Sequence, residues 1–301
     1  VRWKPIVAQV EDLFLGIRDY YRHRGDYING PGAPPPPLFE IHPFMGINTR
    51  NYRLTPSGMG FEVLLDQLLE KHFAGFQDDA APEVRYRKLL ARDWSEFNGN
   101  IDSVGPYDFI GIKVYPPLGF NPWPVESWEE NRSEEMKKVC FLYEFCISHN
   151  IPLTSHCSPG GFLVDKRYRE FANPEKWARV LEAYPDLRLD LAHFGGVEND
   201  SWRQRVAELM LSYDHVFTDI SYQGIDHGSY KRMKEFLDDF SSSERERLLD
   251  RILFGTDFMI NLQDITNYSS YLDYFARTAS FSIAEKGRMC GRNVMNYLFI
   301  A

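Results

Sequence analysis

Four side chains able to do chemistry each close an apolar run. Lys113 ends the run 109–113, His156 the run 151–156, His193 the run 187–193 and Asp257 the run 252–257. Short, buried apolar runs of this length read as strands. In a parallel α/β barrel, active groups sit at the carboxyl ends of strands, on the rim that faces the loops. Two imidazoles and a carboxylate on such a rim could hold a divalent cation or move protons, and an ammonium could seat an anion. Each residue alone has a blander reading. A strand-end histidine is more often a hydrogen-bonded structural residue, a strand-end aspartate often caps the next helix, and a lone lysine there is usually solvated. Four such residues ending four apolar runs outweigh those readings.

The elements between them must then be crossover helices. Strands are expected at 108–115, 151–156, 187–193, 215–221 and 251–257, with a sixth at 38–47. Helical periodicity covers 134–149, 174–184, 202–212, 229–240, 243–250, 264–278 and 283–298. Ser133 is the expected cap of the first of these. Asn173 with Pro174 should cap the second, a pairing favoured at helix starts. Alternation of this kind makes a parallel sheet. The intervals from Lys113 to His156 to His193 to Asp257 are 43, 37 and 64 residues, or one, one and two βα units. The expected fold class is α/β, a (β/α)8 TIM-type barrel lacking or altering its first one or two strands. The expected organisation is one domain over 1–301. Its first part, 1–37, is a helix (4–22) and a proline-rich loop (30–37); parallel βα repeats fill 38–301, with helices at 60–74 and 83–96 before the regular alternation begins.

Bulk properties exclude several classes. A net charge of -9 is the wrong sign for a general nucleic-acid or anionic-membrane surface. No run of 18 apolar residues offers a membrane span. Cys140, Cys146, Cys157 and Cys290 form no CxxC pair and no disulfide scaffold in a chain of 301 residues. A cytoplasmic setting is the simplest expectation. Cys157 follows His156 directly, so strand alternation should turn it away from the site.

The runs at 109–116, 151–156, 191–196 and 251–257 resemble strands four, five, six and eight of the amidohydrolase superfamily. They are most similar to the branch that includes aminocarboxymuconate-semialdehyde decarboxylase and uncharacterised metal-dependent hydrolases. The resemblance implies that His156 is a metal ligand, that His193 is a second ligand or polarises the substrate, and that Asp257 binds metal and shuttles the proton of bound water. It implies that Lys113 binds a substrate carboxylate; bridging two metals as a carbamate ranks second. The implied cofactor is a divalent metal, zinc before manganese. The implied activity is hydrolysis of a small amide, lactone or ester by metal-activated water, with non-oxidative decarboxylation of an aromatic or unsaturated acid as the alternative. A homo-oligomer is the family habit. Tyr115 and Trp123, in the aromatic and proline-rich loop after Lys113, and Asp219, with Ser221 at the end of the next-to-last strand, are expected to line a substrate pocket.

One motif departs. The family's first strand ends in His-x-His, and this chain has none. Glu40 and His42 lie in the 38–47 run but lack that spacing. Three outcomes are expected to account for it: the chain is a piece of a longer protein, its N-terminal region closes the barrel differently, or the metal has been lost. The chain starts with Val and enters a helix at once, which favours the first. The metal is then expected to be weakly held or absent in this chain. A barrel without catalysis, acting as a binding module, is the competing class.

Overall fold

The structure is a computed structural model. It describes residues 6–23, 40–56, 63–77, 81–129, 131–196, 199–226, 228–258 and 260–299. Six parallel strands run in sequence order: β1 (Phe44–Gly46), β2 (Gly111–Val114), β3 (Leu153–His156), β4 (Leu189–Ala192), β5 (Val216–Asp219) and β6 (Ile252–Leu253). Register is continuous across them. Gly46 stands opposite Lys113, Lys113 opposite Thr154, and Thr154 opposite Asp190.

Helices cover the outside. α1 (Ile6–His23) precedes the sheet, and α2 (Leu65–Phe73) and α3 (Pro82–Leu90) lie between β1 and β2. α4 (Arg132–Ser148), α5 (Pro174–Ala183) and α6 (Asp200–Ser212) are the crossovers after β2, β3 and β4. α7 (Ser229–Asp238) and α8 (Ser242–Leu249) separate β5 from β6, and α9 (Tyr268–Arg277), α10 (Ile283–Gly287) and α11 (Asn293–Phe299) follow. The outward-facing strand residues are largely apolar because helices press on that face; Leu153, Leu189, Leu191, Val216 and Ile252 are fully buried. α1 joins the same core, with Phe14 stacked on Trp94 at 4.4 Å and edge-on to Phe109.

Each expected crossover helix from 134 onward has a counterpart here, and the strands are shorter than their apolar runs. Asn173 caps α5 as expected, accepting from the Glu175 N–H. Ser133 does not cap α4. It lies inside the helix, and Asn131, at φ 54, precedes the first turn with no side-chain cap bond. The expected strand at 38–47 narrows to Phe44–Gly46, and the proline-rich loop lies outside the described residues. The helix expected over 83–96 ends at Leu90, with a separate turn at Trp94–Glu96. The one expected over 283–298 contains a wide π turn at Arg288–Arg292. That turn presents the Met289 carbonyl to the Phe254 N–H at 3.0 Å.

The sheet curls into an incomplete barrel. Tyr297 of α11 shows this, because it reaches both ends of the strand order. Its ring faces Phe44 of β1 at 6.5 Å and Phe217 of β5 at 5.3 Å, and it packs with Leu253 of β6. Its hydroxyl meets the Thr154 hydroxyl at 2.8 Å. Among the described residues no strand joins β6 back to β1. α11 fills the interior that two more strands would otherwise enclose, which limits the cost of an unclosed edge. Among the described residues, no helix is long and apolar enough to cross a membrane.

Candidate active site

The carboxyl ends of the strands open into one cavity of about 980 Å³. Lys113, Tyr115, His156, His193, Asp219 and Asp257 all line it, as do Ser158, Ser221, Tyr222 and Gln223. Four different strands or their first loop residues therefore bring together the four side chains singled out by their spacing.

Local backbone geometry aims them. His193 and Phe194 take φ of 73 and 45, Tyr222 takes 62, and Asp257 takes 50. Left-handed backbone is unfavourable for residues with a Cβ and tends to gather where function requires it. Gly161, at φ 103, is needed for a second reason. A Cβ there would stand 2.6 Å from the Tyr115 hydroxyl and 3.0 Å from His156 Nε2. Tyr115 is fixed by this turn, its oxygen accepting from the Phe162 N–H at 3.1 Å. Its ring tilts over His156 at 4.8 Å.

The two imidazoles lie edge to face at 4.7 Å. Burial, the neighbouring His193 and the Lys113 charge lower the His156 pKa to about 3, so the ring is neutral at ordinary pH. Its Nε2 is 3.0 Å from the Gly160 carbonyl, which assigns the proton to that nitrogen. Its Nδ1 is buried and has no hydrogen-bond partner.

His193 is held by a chain of hydrogen bonds. The Ser221 hydroxyl donates to Asp219, and its oxygen lies 2.8 Å from His193 Nδ1, so the network assigns the His193 proton to Nδ1. Asp219 Oδ1 also accepts from the His193 N–H at 3.1 Å and the Ser221 N–H at 2.9 Å. Burial alone would raise the Asp219 pKa, but His193, Lys113 and the Ser221 donors outweigh it and hold the carboxyl below its ordinary value. Gln223 Nε2 donates to the His193 carbonyl at 2.6 Å. His193 Nε2 is left as the nitrogen without an assigned proton.

Trp123 is not brought to this cavity. It borders a separate depression with Lys176 and Glu126. The segment is tied to the outer helices instead. Asn121 accepts from the Trp123 N–H at 3.1 Å, and Tyr143 of α4 donates to the Pro122 carbonyl at 2.8 Å. Glu40 and His42 also lie elsewhere, against Tyr86 and Phe299. Cys157 is fully buried and turned away, and burial pushes its thiol pKa up. Spacing did not single out Ser158, Tyr222 or Gln223, which are ordinary polar loop residues. Asp190 was also passed over, although a carboxyl in the middle of the apolar run 187–193 was a visible signal.

A metal site can be tested on the donor set. The orphaned His156 Nδ1 suits a ligand. Zinc is held by three or more protein donors on one point, however, and the described residues contain no such group of histidine, cysteine and carboxylate side chains. The described residues therefore do not by themselves complete a zinc site.

A parallel βα sheet with polar side chains gathered on its carboxyl-end rim defines the class: α/β barrels with a cavity at the strand ends. A sequence model described as Amidohydrolase matches residues 101–294, more than half of the chain, and the protein belongs to the amidohydrolase family. No curated protein matches the chain. Similar solved structures include an uncharacterised TIM-barrel protein from Bordetella bronchiseptica, 18% identical with a TM-score of 0.42, over 73% of this chain and 63% of that one. A 4-oxalomesaconate hydratase from Rhodopseudomonas palustris is 14% identical with a TM-score of 0.41, over 64% and 56%. A probable 2-pyrone-4,6-dicarboxylic acid hydrolase from Acinetobacter baumannii is 14% identical with a TM-score of 0.44, over 85% and 97%. The matched part thus spans under two-thirds of the Bordetella and Rhodopseudomonas proteins.

Proposed function

We propose that the chain carries the active site of a hydrolase that cleaves an amide, lactone or ester bond in a small, carboxylate-bearing molecule. The observation supporting this reading is the convergence of Lys113, His156, His193 and Asp257 on one cavity. Lys113 seats the substrate carboxylate. Asp257 takes the proton of an attacking water and returns it to the leaving nitrogen or oxygen, so that water is split across the broken bond. His193, anchored through Nδ1, presents Nε2 to the cavity and, when protonated there, polarises the carbonyl oxygen. Zinc, with manganese second, remains the family's expected cofactor, but the described donors do not complete a site and no step here passes through it.

The test is turnover of a panel of lactones, esters and amides, with and without a carboxylate, by the natural full-length protein. Carboxylate-bearing substrates should be preferred, and Asp257→Asn should lower turnover by about 10²-fold or more. No turnover on any member, or equal turnover by Asp257→Asn, sinks the reading in favour of a binding module.

A further inference from the structure

The turn that carries His193 is left-handed over four residues in a row. His193, Phe194, Gly195 and Gly196 take φ of 73, 45, 75 and 99. Glycine adopts such backbone freely. A histidine and a phenylalanine do not, and they stay there only where the surroundings over-determine them.

The surroundings act at three points. Phe194 is fully buried and lies edge-on to Phe236 of α7 at 5.7 Å. Gly195 presses on the first turn of α6, where a Cβ would stand 2.5 Å from the Arg203 backbone nitrogen. The turn's carbonyls are the third point. The His193 carbonyl accepts from the Gly196 N–H at 2.8 Å and from Gln223 Nε2 at 2.6 Å. The Gly196 carbonyl accepts from the Arg203 guanidinium at 2.8 Å, and the same Arg203 nitrogen donates to Gln223 Oε1 at 3.4 Å.

Gln223 therefore joins both ends of the turn, and the proposed chemistry gives it no part. It lies in the loop after β5 and is 3% exposed. Its partners fix which way its amide faces. A carbonyl only accepts and a guanidinium only donates, so the nitrogen faces His193 and the oxygen faces Arg203. Turned round, the amide would set acceptor against acceptor and donor against donor. Both ends are engaged with the protein, although the side chain borders the cavity.

We propose that Gln223 is a positioning residue: braced by Arg203, it holds the His193 carbonyl and with it the left-handed turn that aims the His193 ring into the cavity beside His156. The effect on turnover rests on the role given to His193 above. The placement of the ring does not, so the two can fail separately.

Nuclear magnetic resonance reads that placement without substrate. The His156 and His193 rings lie edge to face at 4.7 Å, close enough for a nuclear Overhauser cross-peak between their ring protons in carbon-13 histidine-labelled full-length protein. Gln223→Met, similar in size with neither donor nor acceptor, should lose it. Gln223→Glu keeps an acceptor for Arg203 but offers the His193 carbonyl no donor, so it should fold and lose the cross-peak as well. Absence of the cross-peak from the wild type, or its persistence in either folded variant, overturns the proposal. On a substrate found by the panel above, Gln223→Met should lower kcat roughly tenfold or more with KM little changed, because a misplaced group costs rate rather than binding. A raised KM at unchanged kcat would make Gln223 a substrate contact and overturn the positioning role. A lower unfolding midpoint with cross-peak and kcat both kept would show a structural role alone and overturn it too. A lost cross-peak with kcat unchanged supports the brace and counts instead against the role of His193.

Discussion

Two regions of this molecule bury charged groups, and they do so in opposite ways. Behind the loop that follows β2, the buried charges among the described residues form pairs. Arg50 binds Glu129, Lys176 binds Glu126, and Asn121 donates to both glutamates at 2.6 Å. Lys138 lies 2.6 Å from Glu135 and donates to the Thr49 carbonyl, while the Thr49 hydroxyl donates to Glu135. None of these groups leaves a buried atom unpartnered. On the inner face of the strands, by contrast, His156 Nδ1 and Asp190 Oδ1 lack partners. The first region spends its polar groups on holding β1, α4 and the loop together. The second keeps hydrogen-bonding capacity in reserve, and that reserve is what a substrate can use.

The sharpest way to break the comparison is to remove capacity from the reserve. His193→Asn and Asp257→Asn should each lower kcat/KM by about 10²- to 10⁴-fold, the usual worth of a general acid–base group. Unfolding midpoints should stay near the wild-type value, since neither residue is fully buried. Midpoints that collapse with activity unchanged would mean that these residues are scaffold.

The converse change belongs in the paired region. Lys138→Met leaves Glu135, 8% exposed, with the Thr49 hydroxyl alone. Removing one partner of a buried ion pair costs about 3–5 kcal/mol. Urea unfolding should show a loss of that order, with kcat unchanged in the folded protein. A variant as stable as wild type would show the network to be dispensable.

A lone unpartnered imidazole does not make a site, and His72 shows why. Its Nδ1 also lacks a partner, but the ring lies edge-on to Phe109, just before the start of β2, and does not line the cavity. Burial, followed by the Lys71 charge, lowers its pKa from 6.5 to about 4. Between those values the unfolded chain binds a proton that the folded one refuses. Stability is therefore full above pH 6.5 and falls as the pH drops towards 4, by no more than about 3 kcal/mol. His72→Leu should lessen that slope in denaturant unfolding between pH 7 and 4, leaving the part that His156 contributes by the same route, and leave turnover alone. A slope as steep in the variant as in the wild type would show that His72 contributes none of it.

What the chain revealed beforehand follows the same division. The apolar runs showed where strands lie, because helices cover the sheet: a buried parallel strand has no solvent-facing side to interrupt it. Their last residues stood out for the same reason, so Lys113, His156, His193 and Asp257 were legible. Ser158, Tyr222 and Gln223 were not, because polar residues in loops carry no period and only the turn geometry brings them inward. The incomplete barrel was legible from the absent His-x-His. Its filling by α11 was not, since Tyr297 lies 141 residues after His156 and nothing local ties it to Thr154.

Trp123 is the smallest test and the most direct one for that division. Its aromatic, proline-rich loop follows Lys113 immediately, and proximity in sequence made it a pocket candidate beside Tyr115. The two part company because Tyr115 is held by the Phe162 N–H at the cavity, whereas Asn121 and Tyr143 pull the next turn onto the outer helices. Trp123→Phe keeps the packing against Lys176 and the core while changing the ring that a substrate would meet. KM and kcat should both stay within about twofold of wild type, a change under 0.5 kcal/mol by the usual conversion. Tyr115→Phe, which removes the oxygen that accepts from Phe162, should shift KM by more than Trp123→Phe does. If the order is reversed, the loop closes over the cavity during turnover and Trp123 belongs to the reserve after all.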